Sequence, residues 1–137
     1  MSIIGKPRDA RYIEGFNNTG STISAYLAVM GYPASITLPA AVSSPVLGIT
    51  ARDIADQERG DIQYDGVAIG TAGEAISAGD IASGVRLYAA TTGKLLKWSP
   101  SAGVNQSVCG IPLSTAAADG DQISVMLLKG GGIGQGA

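Results

Sequence analysis

The stretch that decides the fold is Val108-Cys109-Gly110-Ile111, followed after a short loop by Gly120-Asp121-Gln122-Ile123-Ser124-Val125-Met126-Leu127-Leu128. A Gly-Asp pair is typical of a tight turn, and the apolar, β-branched runs around it are typical of strands. The same order of signals occurs earlier in the chain, where Val46-Leu47-Gly48-Ile49 precedes Gly60-Asp61-Ile62-Gln63-Tyr64. The two copies lie roughly 60 residues apart, which predicts a β-domain with two similar halves.

Length and composition favour one all-β domain. The chain has 137 residues, and a domain of this size buries roughly two-thirds of its unfolded surface without needing disulfides. Twenty glycines and only 5% aromatic residues indicate many turns and thin strands packed by small side chains. We therefore expect a compact single β-domain with two pseudo-repeated halves, either of the β-clip or β-tulip type or a small barrel.

The signals divide the chain into three regions: an extended N-terminal arm at 1–22, a β-domain at 23–129 and a glycine-rich tail at 130–137. The arm has mixed charges and no sustained apolar period, although one short strand is predicted from Tyr12 to Phe16. The pseudo-repeats of the domain cover about 23–69 and 81–128. We expect the tail to be flexible, because glycine loses the most conformational freedom on folding.

Local patterns add three expectations within the domain. Ile62 to Ile69 reads as one strand with a turn or bulge at Asp65-Gly66, and its core residues would be Tyr64, Val67 and Ile69. Ala78-Gly79-Asp80 reads as a tight turn.

Charge and cysteine content exclude several classes of protein. A net charge of -2 with 15% charged residues lacks the clustered basic footprint of a nucleic-acid binder. No apolar run approaches the roughly 20 residues that a membrane span needs, and no signal peptide is visible. Cys109 is the only cysteine, which fits synthesis in a reducing cytoplasm. We expect neither a nucleic-acid nor a membrane partner.

Catalytic, cofactor and metal sites are not expected. The chain has no histidine, the commonest general base and metal ligand. Cys109 would have little thiolate without such a partner, and it occupies the repeat position of Leu47, so it reads as a core residue. The Gly130 to Gly136 run only superficially matches a phosphate loop, since no strand and helix surround it.

Two sets of polar residues leave a weaker alternative open. The Gly-Asp pairs at 60–61, 79–80 and 120–121 are read as turns, with scattered ligands for a hard cation as the alternative. Mixed charges are read as a solvated turn, with an acid/base site as the alternative, at Arg52, Asp53, Glu58 and Arg59.

The order of these motifs resembles the head-decoration, or capsid cement, proteins of tailed bacteriophages. The resemblance covers roughly residues 22 to 128. It is carried by four stretches: Ser77-Ala78-Gly79-Asp80-Ile81, Leu87 to Leu96, Val108 to Ile111 and Ala116 to Leu127. It implies a compact β-domain, without catalytic residues, that assembles on the outside of the capsid, commonly as a trimer, and braces neighbouring major capsid subunits.

The implied partners are the major capsid protein and further copies of the chain in a homotrimer, on the outer surface of the virion after synthesis in the host cytoplasm. We expect capsid contacts along the arm, at Lys6, Arg8, Arg11, Tyr12 and Phe16. Subunit contacts are expected at Trp98 and Tyr88. Trp98 is read as a core or subunit-contact residue, with a ligand platform as the alternative.

Two other functions stay open. A carbohydrate- or cell-surface-binding β-module displayed on a virion would need a cluster of exposed aromatic residues. A small enzyme would need a pocket with convergent polar groups.

Overall fold

The computed structural model describes residues 10–31, 35–98 and 105–135. Its strands form two antiparallel sheets. The first sheet has the order β1-β4-β3-β2, formed by β1 (Arg11–Phe16), β2 (Ala28–Val29), β3 (Gly48–Thr50) and β4 (Arg59–Asp65). The second has the order β5-β9-β8-β6-β7, formed by β5 (Val67–Thr71), β6 (Leu87–Ala89), β7 (Leu95–Lys97), β8 (Asn105–Pro112) and β9 (Gln122–Gln135). One short helix, α1 (Ala78–Ala82), is also present, and the all-β prediction is confirmed.

The four strands of the first sheet are repeated in order by four of the five strands of the second. Order β1-β4-β3-β2 in the first sheet corresponds to order β5-β9-β8-β6 in the second. An isolated antiparallel bridge follows the first strand of each half, between Ile23 and Ile54 in one and between Ile76 and Ala116 in the other. The predicted duplication is therefore a duplication of topology, and each copy begins with an edge strand.

The boundary between the halves lies at Gly66. The expected single strand from Ile62 to Ile69 is two strands, β4 and β5, which belong to different sheets. Gly66 has a φ of 88°, in the left-handed region that glycine adopts at no steric cost, and it turns the chain from one sheet into the other.

Six of the thirteen described residues of the predicted arm, 10–22, belong to the first sheet. Residues 11–16 form β1, where Ile13 pairs with Ile62 and Gly15 with Gly60. The next residue, Asn17, is fully buried, and its Nδ2 donates to the carbonyl oxygens of Ser21 and Ile54 at 2.8 Å each. No apolar period is visible here because Gly15 and Asn17 occupy the buried positions. Residues 1–9 lie outside the described part of the chain.

Two further segments differ from expectation. Residues 130–135, expected as flexible tail, extend β9 and pair with β8, from Val108 opposite Gly132 to Asn105 opposite Gln135. Backbone hydrogen bonds to β8 offset the free-energy cost of ordering the glycines. The expected turn at residues 78–80 is the start of α1, because Ser77 and Asp80 form a capping box.

Both sheets are open among the described residues, so the closed small barrel, one of the two expected forms, is wrong. The second sheet curls until Ala72, just after β5, forms an isolated parallel bridge with Leu95 of β7. Its buried residues form the larger core cluster, which also contains Ala28 and Ile49 of the first sheet. The halves therefore share a core and pack as one block.

The glycines of the two repeated motifs lie where neighbouring strands approach closely. A Cβ on Gly48 would overlap the carbonyl oxygen of Gln63, and one on Gly110 would lie 2.9 Å from the carbonyl oxygen of Met126. Backbone cannot move aside as a side chain can, so only glycine fits these two positions.

We predict that Gly48→Ala and Gly110→Ala each lower the free energy of unfolding by about 2 kcal/mol or more, because the new methyl overpacks the sheet. Gly79→Ala is the matched control. Its Cβ would meet nothing closer than 3.6 Å, and alanine favours the helix there. Urea unfolding followed by circular dichroism measures all three, and equal stability of Gly48→Ala and Gly79→Ala would contradict the packing argument.

Candidate interaction surface

The exposed large apolar side chains of the described residues lie together. Five of them are exposed by 43% to 51%: Tyr12, Val67, Ile69, Leu113 and Met126. Val67 lies opposite Met126, and Ile69 lies opposite Ser124 in the same strand pair. The backbone N–H of Leu113 donates to the carbonyl oxygen of Ser124, which brings Leu113 beside this pair. We call Val67, Ile69, Leu113 and Met126 the apolar strip.

The apolar strip follows from strand alternation. In β5, Ala68 and Gly70 are the buried, core-facing positions, so the side chains of Val67 and Ile69 face outward. We expected Val67 and Ile69 in the core, and the structure places both on the outside. A soluble monomer seldom exposes several large apolar side chains side by side, so this clustering indicates a contact surface.

A groove of about 270 Å³ adjoins the apolar strip at the junction of the two sheets. We call it the edge groove, and its lining residues are Tyr12, Tyr26, Ile49, Thr50, Ala51, Gln63, Val67, Ala68 and Ile69. None of these residues carries a charge. Two tyrosines from the first half therefore face the uncharged edge strand of the second half across the groove.

Of the expected capsid contacts that the structure describes, Arg11, Tyr12 and Phe16, only Tyr12 joins this surface. Arg11 is exposed, and its Nε lies 3.9 Å from Oδ2 of the buried Asp65. Phe16, at the far end of β1, is partly covered by the guanidinium of Arg59, which lies 5.3 Å from the ring centre. Lys6 and Arg8 lie outside the described residues.

The expected subunit contacts lie towards the other edge of the second sheet. Tyr88 is half-buried in β6, opposite Leu96 of β7. Partial burial and the nearby charge of Glu74 raise the pKa of the Tyr88 hydroxyl. Trp98 follows β7, is also half-buried, and donates its backbone N–H to the carbonyl oxygen of Arg86 at 2.7 Å. The structure does not bring either residue to the apolar strip.

The polar groups singled out in the sequence act in turns and caps. Asp121 accepts hydrogen bonds from the backbone N–H groups of Ala117 and Ala118, at 2.8 and 3.2 Å. Asp80 accepts from the Ser77 N–H, and this bond together with Lys97 lowers the pKa of its carboxyl group. Within the described ranges, no group of three or more metal-ligating side chains comes together. No helix in that part of the chain is long and apolar enough to span a membrane.

Residues 18–127 match the family of phage cement proteins. This chain belongs to that family. The cement protein is therefore a structural protein of the phage capsid and part of the virion. Among curated proteins none matches it. Among solved structures, it is similar to the N base of the head fiber protein gp8.5 of bacteriophage phi29, with 15% identity and a TM-score of 0.59 over 86% of this chain and 95% of that one. At this identity the likeness shows the fold alone.

Burial makes the one cysteine a core residue in this cement protein. Cys109 is 4% exposed, and burial raises the pKa of its thiol to about 12. We predict that the native protein at pH 8 resists a thiol-specific disulfide reagent, and that one thiol reacts at once after unfolding in denaturant. Rapid stoichiometric modification of the native protein would contradict this placement.

Proposed function

We propose that this cement protein binds the outer surface of the phage head and stabilises the shell by bridging neighbouring major capsid subunits. The observation that supports this most is the apolar strip beside the edge groove. Water covers this surface in the free protein, and covering it with protein is favourable by about 25 cal/mol per Å² of apolar area. Several such contacts from one oligomer add through multivalency, so individually weak contacts can give firm retention.

The beginning of the chain is proposed to extend this contact. β1 starts at Arg11, next to Asp65 at the end of β4, and the following residue, Tyr12, lines the edge groove. We assign capsid contacts to Lys6, Arg8, Arg11 and Tyr12, and a weaker one to Phe16. Basic side chains there would pair with acidic groups on the shell.

Self-association is proposed as a homotrimer, with Tyr88 and Trp98 as subunit contacts. Both lie at the β6–β7 side of the second sheet, so a trimer built through them leaves the apolar strip free for the shell. The protein would be made in the host cytoplasm, and would act without catalysis and without a nucleic-acid or membrane partner.

A carbohydrate- or cell-surface-binding module is the alternative. It is supported less well, because Tyr12 is the only aromatic residue of the described ranges among the exposed large apolar side chains.

Met126→Lys tests the role of the apolar strip. Met126 lies opposite Val67, and a lysine there would place a charge in the proposed contact. We expect occupancy on empty shells of the same phage's major capsid protein to fall at least about tenfold, measured by co-sedimentation. Thr91→Lys is the control, since it adds the same charge at an exposed turn between β6 and β7. Equal retention of the two variants would contradict the proposal.

Deleting residues 1–9 tests the contribution of Lys6 and Arg8. The truncated protein should stay folded, because β1 begins at Arg11, and its retention on shells should become weaker and more sensitive to salt. A longer deletion through Phe16 would remove β1 and is uninformative about the arm. Wild-type occupancy at all salt concentrations would show that these residues do not touch the shell.

A further inference from the structure

One edge of the second sheet keeps backbone hydrogen-bonding groups that no described strand uses. The N–H of Leu127 donates to the carbonyl of Gly66, and the N–H of Ala72 donates to the carbonyl of Asp121. Partners alternate along an antiparallel ladder, so Ala68 and Gly70 bond to β9, whereas Ile69 directs both its N–H and its C=O away from β9. β5 is the edge strand, so these groups of Ile69 point to the open side of the sheet.

The repeat supplies an internal comparison for this edge. In the first half the backbone N–H of Asn17 donates to the carbonyl of Glu58, and in the second half the N–H of Ala72 donates to the carbonyl of Asp121. Counting back three residues from each donor, residue 14 in β1 corresponds to residue 69 in β5. Position 14 is a glutamate, and position 69 is an isoleucine that is 47% exposed. A charge on an edge strand discourages pairing with another chain. The first half has this protection at its edge, and the second half lacks it.

The shape of the edge groove restricts what can pair with Ile69. Tyr12 and Tyr26 of the first half line the same space, of about 270 Å³, as Val67, Ala68 and Ile69 of β5. The edge of a folded sheet would bring its own neighbouring strands against the two tyrosines, whereas one extended segment would not. β1, β2, β5 and β7, the edge strands described for this chain, all belong to sheets, so a second copy cannot offer any of them as a lone segment.

The uncharged lining restricts the chemistry of the occupant as well. A charged side chain that entered the groove would lose water without gaining an opposite charge. Backbone groups of an added strand would instead bond to Ile69, while its apolar side chains would contact Ile69 and Val67 of the apolar strip.

We infer that the edge groove accepts one short, uncharged, extended segment of the capsid shell protein, which adds to β5 as a further strand through the N–H and C=O of Ile69. The inference rests on the proposed function and specifies its contact: main-chain pairing at β5 in addition to apolar burial.

Ile69→Pro tests the main-chain bond, with Ile69→Ala as its matched control. Both variants remove the isoleucine side chain, but only proline removes the outward N–H, which the fold itself does not use. We expect Ile69→Pro to bind shells at least about tenfold more weakly than Ile69→Ala, with similar circular dichroism. Equal binding by the two variants would overturn the inference.

Hydrogen exchange of the wild-type protein gives a second readout that does not depend on a variant folding. The Ile69 amide should exchange fast in the free protein and at least about tenfold more slowly on shells, whereas the Ala68 amide should be protected in both states. An Ile69 amide that stays fast on shells would overturn the inference.

Two further outcomes separate the possible failures. Wild-type protein that does not bind shells at all would overturn the proposed function, and this inference with it. Wild-type protein that binds, while Ile69→Pro changes only the sedimentation of the free protein, would show that a second copy occupies the edge and would overturn the inference alone.

Discussion

The side-chain amide of Gln63 stabilises the passage between the two halves of this cement protein. Gln63 is 6% exposed, and its Nε2 donates to the carbonyl oxygens of Asp65 and Val67, at 3.0 and 2.9 Å. These carbonyls lie on either side of Gly66, where the chain leaves the first sheet and enters the second. A buried turn between sheets would otherwise leave polar backbone groups without partners, at a cost of about 1–3 kcal/mol each. One amide therefore gives partners to two backbone carbonyls where the chain passes between the sheets.

The same interaction positions the surface that we assign to the shell. The Val67 carbonyl accepts a hydrogen bond from Nε2 of Gln63, and this bond holds the start of β5 at the rim of the edge groove. The rest of β5 is then held on one side only, by β9, so its outer face and free edge stay available. The shared core makes a rigid support, because Ala28 and Ile49 of the first sheet pack with the second. A rigid block with one uncharged edge suits adhesion between protein subunits, since little conformational freedom is lost on binding.

The sequence predicted the duplication of the β-domain better than the boundaries of its halves. Gly48 and Gly110, the glycines of the two motifs, lie where strands approach closely. Because only glycine fits there, the same residue type appears in both copies and makes the repeat recognisable in the sequence. At the end of the first half, the sequence signal is a single Asp-Gly pair at 65–66. Such a pair is as typical of a bulge within one strand as of a change of sheet. Local patterns do not predict β1 or the end of β9, because both are held by strands distant in the chain.

The contact surface was harder still to predict. Alternation in β5 separates Ala68 from Val67 and Ile69, but it does not tell which of the two faces another element of the fold covers. Large apolar residues were assigned to the core, and here the small ones are inside. The most direct measurement is a cryo-electron microscopy map of decorated shells that traces individual strands. The account predicts β5 and Tyr12 at the boundary with the capsid subunits; a map with β5 on the solvent side, and another face on the shell, would contradict it.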